Sequence, residues 1–281
     1  MLLTDKIQEV RQQIKKWKKE GLTVGFVPTM GYLHEGHGSL MKEAKKQCDK
    51  VVVSIFVNPM QFGVNEDLDS YPRDLEADKK LCSGLGVDLI FHPTVEEMYT
   101  EGFCSFVDMN GLTKELCGKS RPIHFRGVCT VVNKLFNIVM PDKAFFGQKD
   151  AQQLAVIQRM VKDLNMDLDI IGCPIIREDD GLAKSSRNTY LNPEERKAAL
   201  ILSQAIFKGE ELVKSGERNA DRVVSFMKEI LQSEPMAEID YVEAVSMDTI
   251  EKIEFLQGRV LVAMAVKIGK TRLIDNFIIT I

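Results

Sequence analysis

At 281 residues the chain is long enough for two domains of roughly 100–200 residues each. Apolar residues make up 44% and charged residues 28%, an ordinary globular mix, and the net charge of −4 offers no general attraction for a nucleic-acid backbone. A small acidic substrate would have to be met by local basic groups.

The first residues, MLLTDKIQEV, lack a basic stretch followed by an apolar core, so no secretory signal is expected. Apolar stretches such as Val51–Val57 have the length of a core strand and fall far short of a bilayer span. The six cysteines (Cys48, Cys82, Cys104, Cys117, Cys129 and Cys173) never come closer than 12 residues. Without a CxxC pair or a Cys/His cluster, neither a zinc site nor a disulfide framework is expected. Reduced, mostly buried thiols in a cytoplasmic protein are the expectation.

In chain order, a charged amphipathic helix over about 4–20 leads to a buried strand in GLTVGFV (21–27). A helix over 36–48 precedes the strand VVVSIFV (51–57), and a helix over 72–85 precedes VDLIFH (87–92). VCTVVNKLFNIVM (128–140) is apolar at helical spacing, and KAFFG (143–147) is a short strand. DAQQLAVIQRMVKDL (150–164) is an amphipathic helix, and LDIIGCPII (168–176) closes the series as a strand. Short apolar strands separated by helices predict a parallel sheet covered on both faces. Beyond residue 176 the pattern changes. NPEER opens a helix, with Asn192 as cap, Pro193 first and Glu195 third, and helices are expected over 193–215 and 220–232. Three β-rich stretches follow: IDYVEAVSM, GRVLVAMAVKI and LIDNFIITI. The expected fold is α/β: a Rossmann-like, doubly wound parallel sheet over 1–176, with a smaller C-terminal α+β domain over 177–281 that closes over the site. No GxGxxG follows the first strand, so nothing marks a dinucleotide.

The stretch PTMGYLHEGHGSL (28–40) joins the first core strand to its helix and holds half of the four histidines. Ligands of such sheets bind at the carboxyl ends of strands, where helix N-termini present N–H groups. Gly31, Gly36 and Gly38 let backbone approach a ligand closely. His34 and His37, three apart, are expected to project from one side of the first helical turn, where imidazole N–H groups can hold phosphate oxygens. A lone histidine is ordinarily structural, and two without a third ligand do not complete a zinc site. REDDGLAKSSRN (177–188) is a polar segment at the domain junction, of the kind that lines ligand sites.

PTMGYLHEGH resembles the nucleotide-binding signature of the pantothenate synthetase family, a member of the H-x-G-H nucleotidyltransferase superfamily. Similar matches follow in order in FVNPMQFG (56–63), YPRD (71–74), RPIHFRGV (121–128), VVNKLFNIVMPDKAFFGQKDAQQ (131–153) and REDDGLAKSSRN, with LIDN (273–276) near the end. The resemblance implies condensation of pantoate with beta-alanine to give pantothenate. ATP and Mg2+ would be used, pantoyl adenylate formed, and AMP and pyrophosphate released. The alternative is another H-x-G-H nucleotidyltransferase that activates a different small carboxylic acid.

By the same resemblance, Met30, Gly31, Tyr32, Leu33, His34, Glu35, Gly36 and His37 line the ATP site, with His37 a proton donor toward the leaving phosphate. Gly147, Gln148, Lys149 and Asp150 hold the nucleotide, as do Ile176, Lys184, Ser185, Ser186 and Arg187. The catalytic set would be His34, His37, Lys149, Ser185, Ser186 and Arg187. Gln61 and Gln153 match the pantoate-binding glutamines, Gln61 also lies near beta-alanine, and Asn58 supports them. Gln152, one residue off, points elsewhere on the helix. Asp78 is placed near the magnesium. Two positions depart from the common family form. Ile123 stands where a glycine is usual, so a different local backbone is expected, and Lys184 stands where many members are apolar. Arg121, His124 and Arg126 are candidates for the site rim or for dimer contacts. A homodimer, with no nucleic acid and no membrane as partners, is expected.

Overall fold

The computed structural model describes residues 1–64 and 66–281. The chain separates into two compact units. One comprises Met1–Met109, Ile123–Gln148 and Val156–Pro174; the other comprises Asn110–Pro122, Lys149–Ala155 and Ile175–Ile281. The second unit therefore includes two short segments that precede residue 176.

Through residue 174 the elements in order are β1 (Leu2–Thr4), α1 (Ile7–Lys19), β2 (Val24–Thr29), α2 (Glu35–Gln47), β3 (Lys50–Ile55), α3 (Leu75–Gly84) and β4 (Leu89–Phe91). Then come α4 (Val95–Met98), α5 (Cys117–Ser120), α6 (His124–Val139), β5 (Lys143–Gly147), α7 (Ala151–Asp163) and β6 (Asp169–Cys173). The first unit is built on a six-stranded parallel sheet in the order β1-β4-β3-β2-β5-β6. Alternate strand residues face opposite layers. On one side Val27, Val53, Ile90 and Phe145 pack with Leu40, Met41 and Ala44 of α2 and Cys82 of α3. On the other, Phe136 of α6 meets Phe26 and Phe146 edge-on at ring separations of 6.3 and 6.4 Å. Burying a side chain of this size stabilises by about 2–3 kcal/mol, so the apolar runs of the sequence account for the sheet. The Rossmann-like expectation agrees with this architecture.

β1 is the strand that sequence pattern does not reveal. Its three residues pair with β4 at the sheet edge, and Leu2 and Leu3 remain exposed. From β2 the chain steps outward through β3 and β4, then returns to β5 on the other side of β2. That reversal is the switch point at which open α/β sheets take ligands, and the loop into α2 begins there.

The second unit carries α8 (Pro193–Ala198), α9 (Leu200–Lys214), α10 (Ala220–Gln232) and the antiparallel strands β7 (Ala237–Ser246), β8 (Arg259–Ile268) and β9 (Thr271–Thr280), with β8 central. Asn192 Oδ1 accepts from Glu195 N at 2.9 Å while Glu195 Oε2 accepts from Asn192 N at 3.0 Å, the reciprocal cap that NPEER predicts. The single helix expected over 193–215 is two. At fully buried Ala199 the turn tightens, with Leu202 N bonding Ala199 O at 3.2 Å. β8 reads as an unbroken apolar run because it is covered on both faces. Val260, Val262, Met264 and Val266 join the core beneath α9 and α10, while Leu261 and Ala263 pack with Leu116, Ala151 and Ala155. Among the described residues, no helix is long and apolar enough to cross a membrane.

Candidate active site

In the first unit the site grows from the end of β2. Thr29 Oγ1 donates to Ser54 O at 2.7 Å and accepts from Gly31 N at 3.2 Å. Gly31 and Tyr32 then turn the chain through the left-handed region, at φ +86° and +50°. Glycine is required at position 31, where a Cβ would lie 2.9 Å from Ile55 Cγ2 and 3.1 Å from Asp78 Oδ2. Asp78 of α3 is 2% exposed and grips this turn from below. Its Oδ2 accepts from Tyr32 N at 2.9 Å and its Oδ1 from Leu33 N at 2.6 Å. Burial pushes its carboxyl above the ordinary carboxylate value, against the pull of those two N–H bonds. A cavity of about 250 Å³ lies against the same turn, with Met30, Tyr32, Phe56, Asp78 and His92 in its wall.

His34 is the N-cap of α2, and His37 is the third residue of that helix. His34 Nδ1 accepts from Gly36 N at 3.1 Å, and His37 Nδ1 accepts from His34 N at 3.2 Å. Two imidazoles thus form the reciprocal cap that serine and glutamate usually make, with ring centroids 4.1 Å apart. A neutral imidazole that accepts at Nδ1 carries its proton on Nε2. Both rings are oriented by backbone and hold an Nε2–H donor at a helix N-terminus, where the dipole favours negative charge. Gly38 serves packing, since a Cβ there would press on Leu85 Cδ1 at 3.2 Å.

Beside this loop, Asn58 caps a single turn at Pro59–Gln61 and is 1% exposed. Its Nδ2 donates to Gln61 Oε1 and to Gly127 O, both at 3.2 Å, and its Oδ1 accepts from Tyr99 Oη at 2.8 Å. Gln61 Nε2 reaches Met30 Sδ at 3.0 Å, which ties the expected pantoate-binding glutamine to the histidine loop. The start of α6 backs this turn. His124 is buried, with Nδ1 3.0 Å from Gln61 O, and a Cβ on Gly127 would lie 2.2 Å from Met60 O. RPIHFRGV therefore contributes an internal brace at His124 and Gly127, while Arg126 stacks on Phe106 at 4.0 Å. Ile123 sits at φ −92°, ψ −12°, just before α6, with its side chain exposed.

In the second unit, Lys149 and Asp150 belong to the short turn that leads into α7. Lys149 Nζ is 3.9 Å from Asp150 Oδ2, and the Lys149 carbonyl accepts from Asn276 Nδ2 at 2.8 Å. Gln152 is buried and donates to Leu112 O and Glu115 O, each at 2.8 Å. The segment after Ile176 is a small hairpin. Ile176 O accepts from Lys184 N, Glu178 N donates to Leu182 O, and Gly181 turns the chain at φ +96°. Lys184 Nζ pairs with Glu178 Oε2 at 3.2 Å. Ser185 caps the short turn Ser186–Tyr190 by accepting from Arg187 N at 3.3 Å. Arg177, at the hairpin's base, holds Asp275 by two bonds of 2.7 and 2.9 Å, and Asp275 is 1% exposed. Gly147 lies at the end of β5 in the first unit. Among the described residues, nothing beyond its chain neighbours comes within 4 Å of a Cβ built there, so packing does not demand the glycine.

A parallel sheet whose strand order reverses at a helix start capped by two histidines defines a nucleotide-handling α/β enzyme. The family model described as Pantoate-beta-alanine ligase matches residues 2–278, and the chain belongs to that family. It is 64% identical over 271 residues to the pantothenate synthetase of Ruminiclostridium cellulolyticum, covering 96% of each chain. The crystal structure of pantothenate synthetase from Thermus thermophilus is similar at a TM-score of 0.94 and 43% identity, covering 99% of both chains. That of pantoate-beta-alanine ligase from Francisella tularensis, complexed with beta-gamma ATP and beta-alanine, is similar at a TM-score of 0.79 and 35% identity. It covers 99% of this chain and 97% of that one.

Proposed function

We propose that the protein condenses pantoate with beta-alanine to form pantothenate, driven by ATP through a pantoyl adenylate. The observation that carries this reading is the pair of backbone-oriented imidazoles at the α2 N-terminus, in a chain that matches the ligase family over 2–278. In the first step a pantoate carboxylate oxygen attacks the α-phosphorus of ATP, and the bond to pyrophosphate breaks. A carboxylate is already ionised at neutral pH, so this step needs cations and N–H donors, not a base. The Nε2–H groups of His34 and His37 would hold phosphate oxygens, with His37 donating toward the departing pyrophosphate. Met30–Gly36 would supply the backbone wall of the same site. Gly147, Gln148, Asp150 and Ile176 would hold the nucleoside part, and Lys149, Lys184, Ser185, Ser186 and Arg187 would hold phosphates. Gln61 and Gln153 would bind the pantoate hydroxyls, since an amide donates and accepts without adding charge beside the reacting carboxylate.

In the second step the beta-alanine amine, near Gln61, attacks the acyl carbon. The bond to AMP breaks and the ammonium proton passes to water. Magnesium, accompanying ATP, would neutralise phosphate charge. Such an ion brings most of its ligands as water and phosphate oxygens and asks few groups of the protein. Asp78 holds two backbone N–H groups with its two oxygens, and we assign it that anchoring role ahead of a metal contact. A homodimer and a cytoplasmic location belong to the same proposal; six free cysteines support the latter. Incubation with Mg-ATP, pantoate and beta-alanine should release AMP only when both organic substrates are present. ADP formation, or AMP release indifferent to beta-alanine, would overturn the reading.

A further inference from the structure

LIDN has no place in the chemistry above, yet two of its residues reach into both nucleotide-holding segments of the second unit. Asp275 and Asn276 are neighbours on β9, so their side chains leave the strand on opposite faces. Asp275, 1% exposed, takes both guanidinium NH2 groups of Arg177, at the base of the hairpin that carries Lys184–Arg187. Arg177 NH1 also donates to Gly181 O at 3.1 Å, so the same guanidinium fixes the hairpin's turn. Asn276, 3% exposed, donates through Nδ2 to the Lys149 carbonyl at 2.8 Å. Asp275 Oδ1 in turn accepts from Asn276 N at 2.8 Å, which couples the two.

We infer that Asp275 and Asn276 are positioning residues for ATP: one strand step of β9 sets the place of Lys149 and of the Lys184–Arg187 segment together. This rests on the proposed phosphate role of Lys149. Placement errors of well under an ångström at a phosphate contact are costly, and a planar Arg–carboxylate fork allows little drift. An amide at 276 is needed because the partner is a carbonyl. Aspartate of the same shape would set acceptor against acceptor at 2.8 Å.

The test is steady-state kinetics on the full chain with Asn276→Asp, Arg177→Lys and Lys149→Ala. Arg177→Lys keeps the charge but loses the fork. Asn276→Asp should raise the KM for ATP about tenfold and Arg177→Lys severalfold, the size of a lost buried hydrogen bond, with the KM for beta-alanine unchanged. A merely structural role would lower kcat through the active fraction and leave every KM in place. If Asn276→Asp does not fold, Arg177→Lys, changed at a partly exposed side chain, carries the test alone. ATP KM values within twofold of wild type in the folded variants, with Lys149→Ala raising it, would overturn the inference and spare the role of Lys149. An ATP KM unmoved by Lys149→Ala would overturn both.

Discussion

Adding one methyl group at Gly127 should damage the proposed pantoate site from behind. The Cβ of Gly127→Ala would stand 2.2 Å from Met60 O and 2.6 Å from Gln61 Cα, both on backbone that cannot rotate away. An ordinary contact there needs about 3.5 Å, so α6 and the Pro59–Gln61 turn must part by about 1 Å. That movement stretches Asn58 Nδ2–Gly127 O from 3.2 Å and His124 Nδ1–Gln61 O from 3.0 Å, beyond hydrogen-bond range. Overpacking costs about 1–3 kcal/mol and two weakened buried bonds about 1 kcal/mol each, giving about 4 kcal/mol in all. For a unit of this size the melting midpoint should fall by about 10 °C. Because Gln61 moves with the turn, the KM for pantoate should rise more than the KM for ATP. Thermal denaturation and separate pantoate and ATP saturation curves check both parts. A variant with wild-type melting and pantoate saturation would refute the claim that Gly127 holds Gln61 in place.

Three other outcomes are expected. His37→Ala should lower pantoate-dependent ATP–pyrophosphate exchange about a hundredfold or more, and remove the cap bond to His34 N at a cost of about 1 kcal/mol. Exchange near the wild-type rate would take His37 out of the mechanism. Asp78 titrates above the ordinary carboxylate value because of its burial, with Asp74 pushing the same way and His92 opposing it. A raised folded-state value means stability is lost as pH rises through it. The stability of the wild type relative to Asp78→Asn should therefore decline from about pH 4 upward and then level off, as denaturant melts at several pH values would show; the opposite slope would mean the two N–H bonds outweigh burial. Burial also pushes the Cys82 and Cys129 thiols up to about 12 and Cys173 to about 11, and raises Cys48. Thiol titration at pH 8 should find exposed Cys104 fast and those four reactive only in denaturant, whereas four fast thiols in the native protein would contradict the packing.

The sheet was legible because strands covered on both faces must be largely apolar, as VVVSIFV and the AFF of KAFFG are. β1 was not, since three residues cannot show a period, and a partner at β4 makes Leu2–Thr4 a strand. The break at Ala199 was hidden for a related reason: alanine suits either a continuous or a tightened turn, and burial decides. Within the site, His34 and His37 could be read as a phosphate-binding helix start, but not as each other's cap, which depends on ring rotation. Asp78 was hardest to read. An aspartate early in a helix is ordinarily solvated, and its hold on Tyr32 and Leu33 spans more than forty residues.

These supports share a logic. Loops expected to meet substrate are held by buried side chains beside them: the histidine loop by Asp78 just after YPRD, Gln61 by Asn58 and the α6 start, Lys149 by Asn276. In each case a buried side chain hydrogen-bonds main chain or an amide of the loop it supports. Main-chain bonding tolerates changes in the loop's own side chains but not in the supporting donor or acceptor. RPIHFRGV and LIDN therefore matched the family without offering an obvious reactive group, because their chemistry is directed at backbone. The same logic sets the kinetic signature of damage. Loss of a contact made only in the transition state should fall mainly on kcat, whereas loss of a contact to bound ATP, or of its support, should shift the KM of the substrate held there.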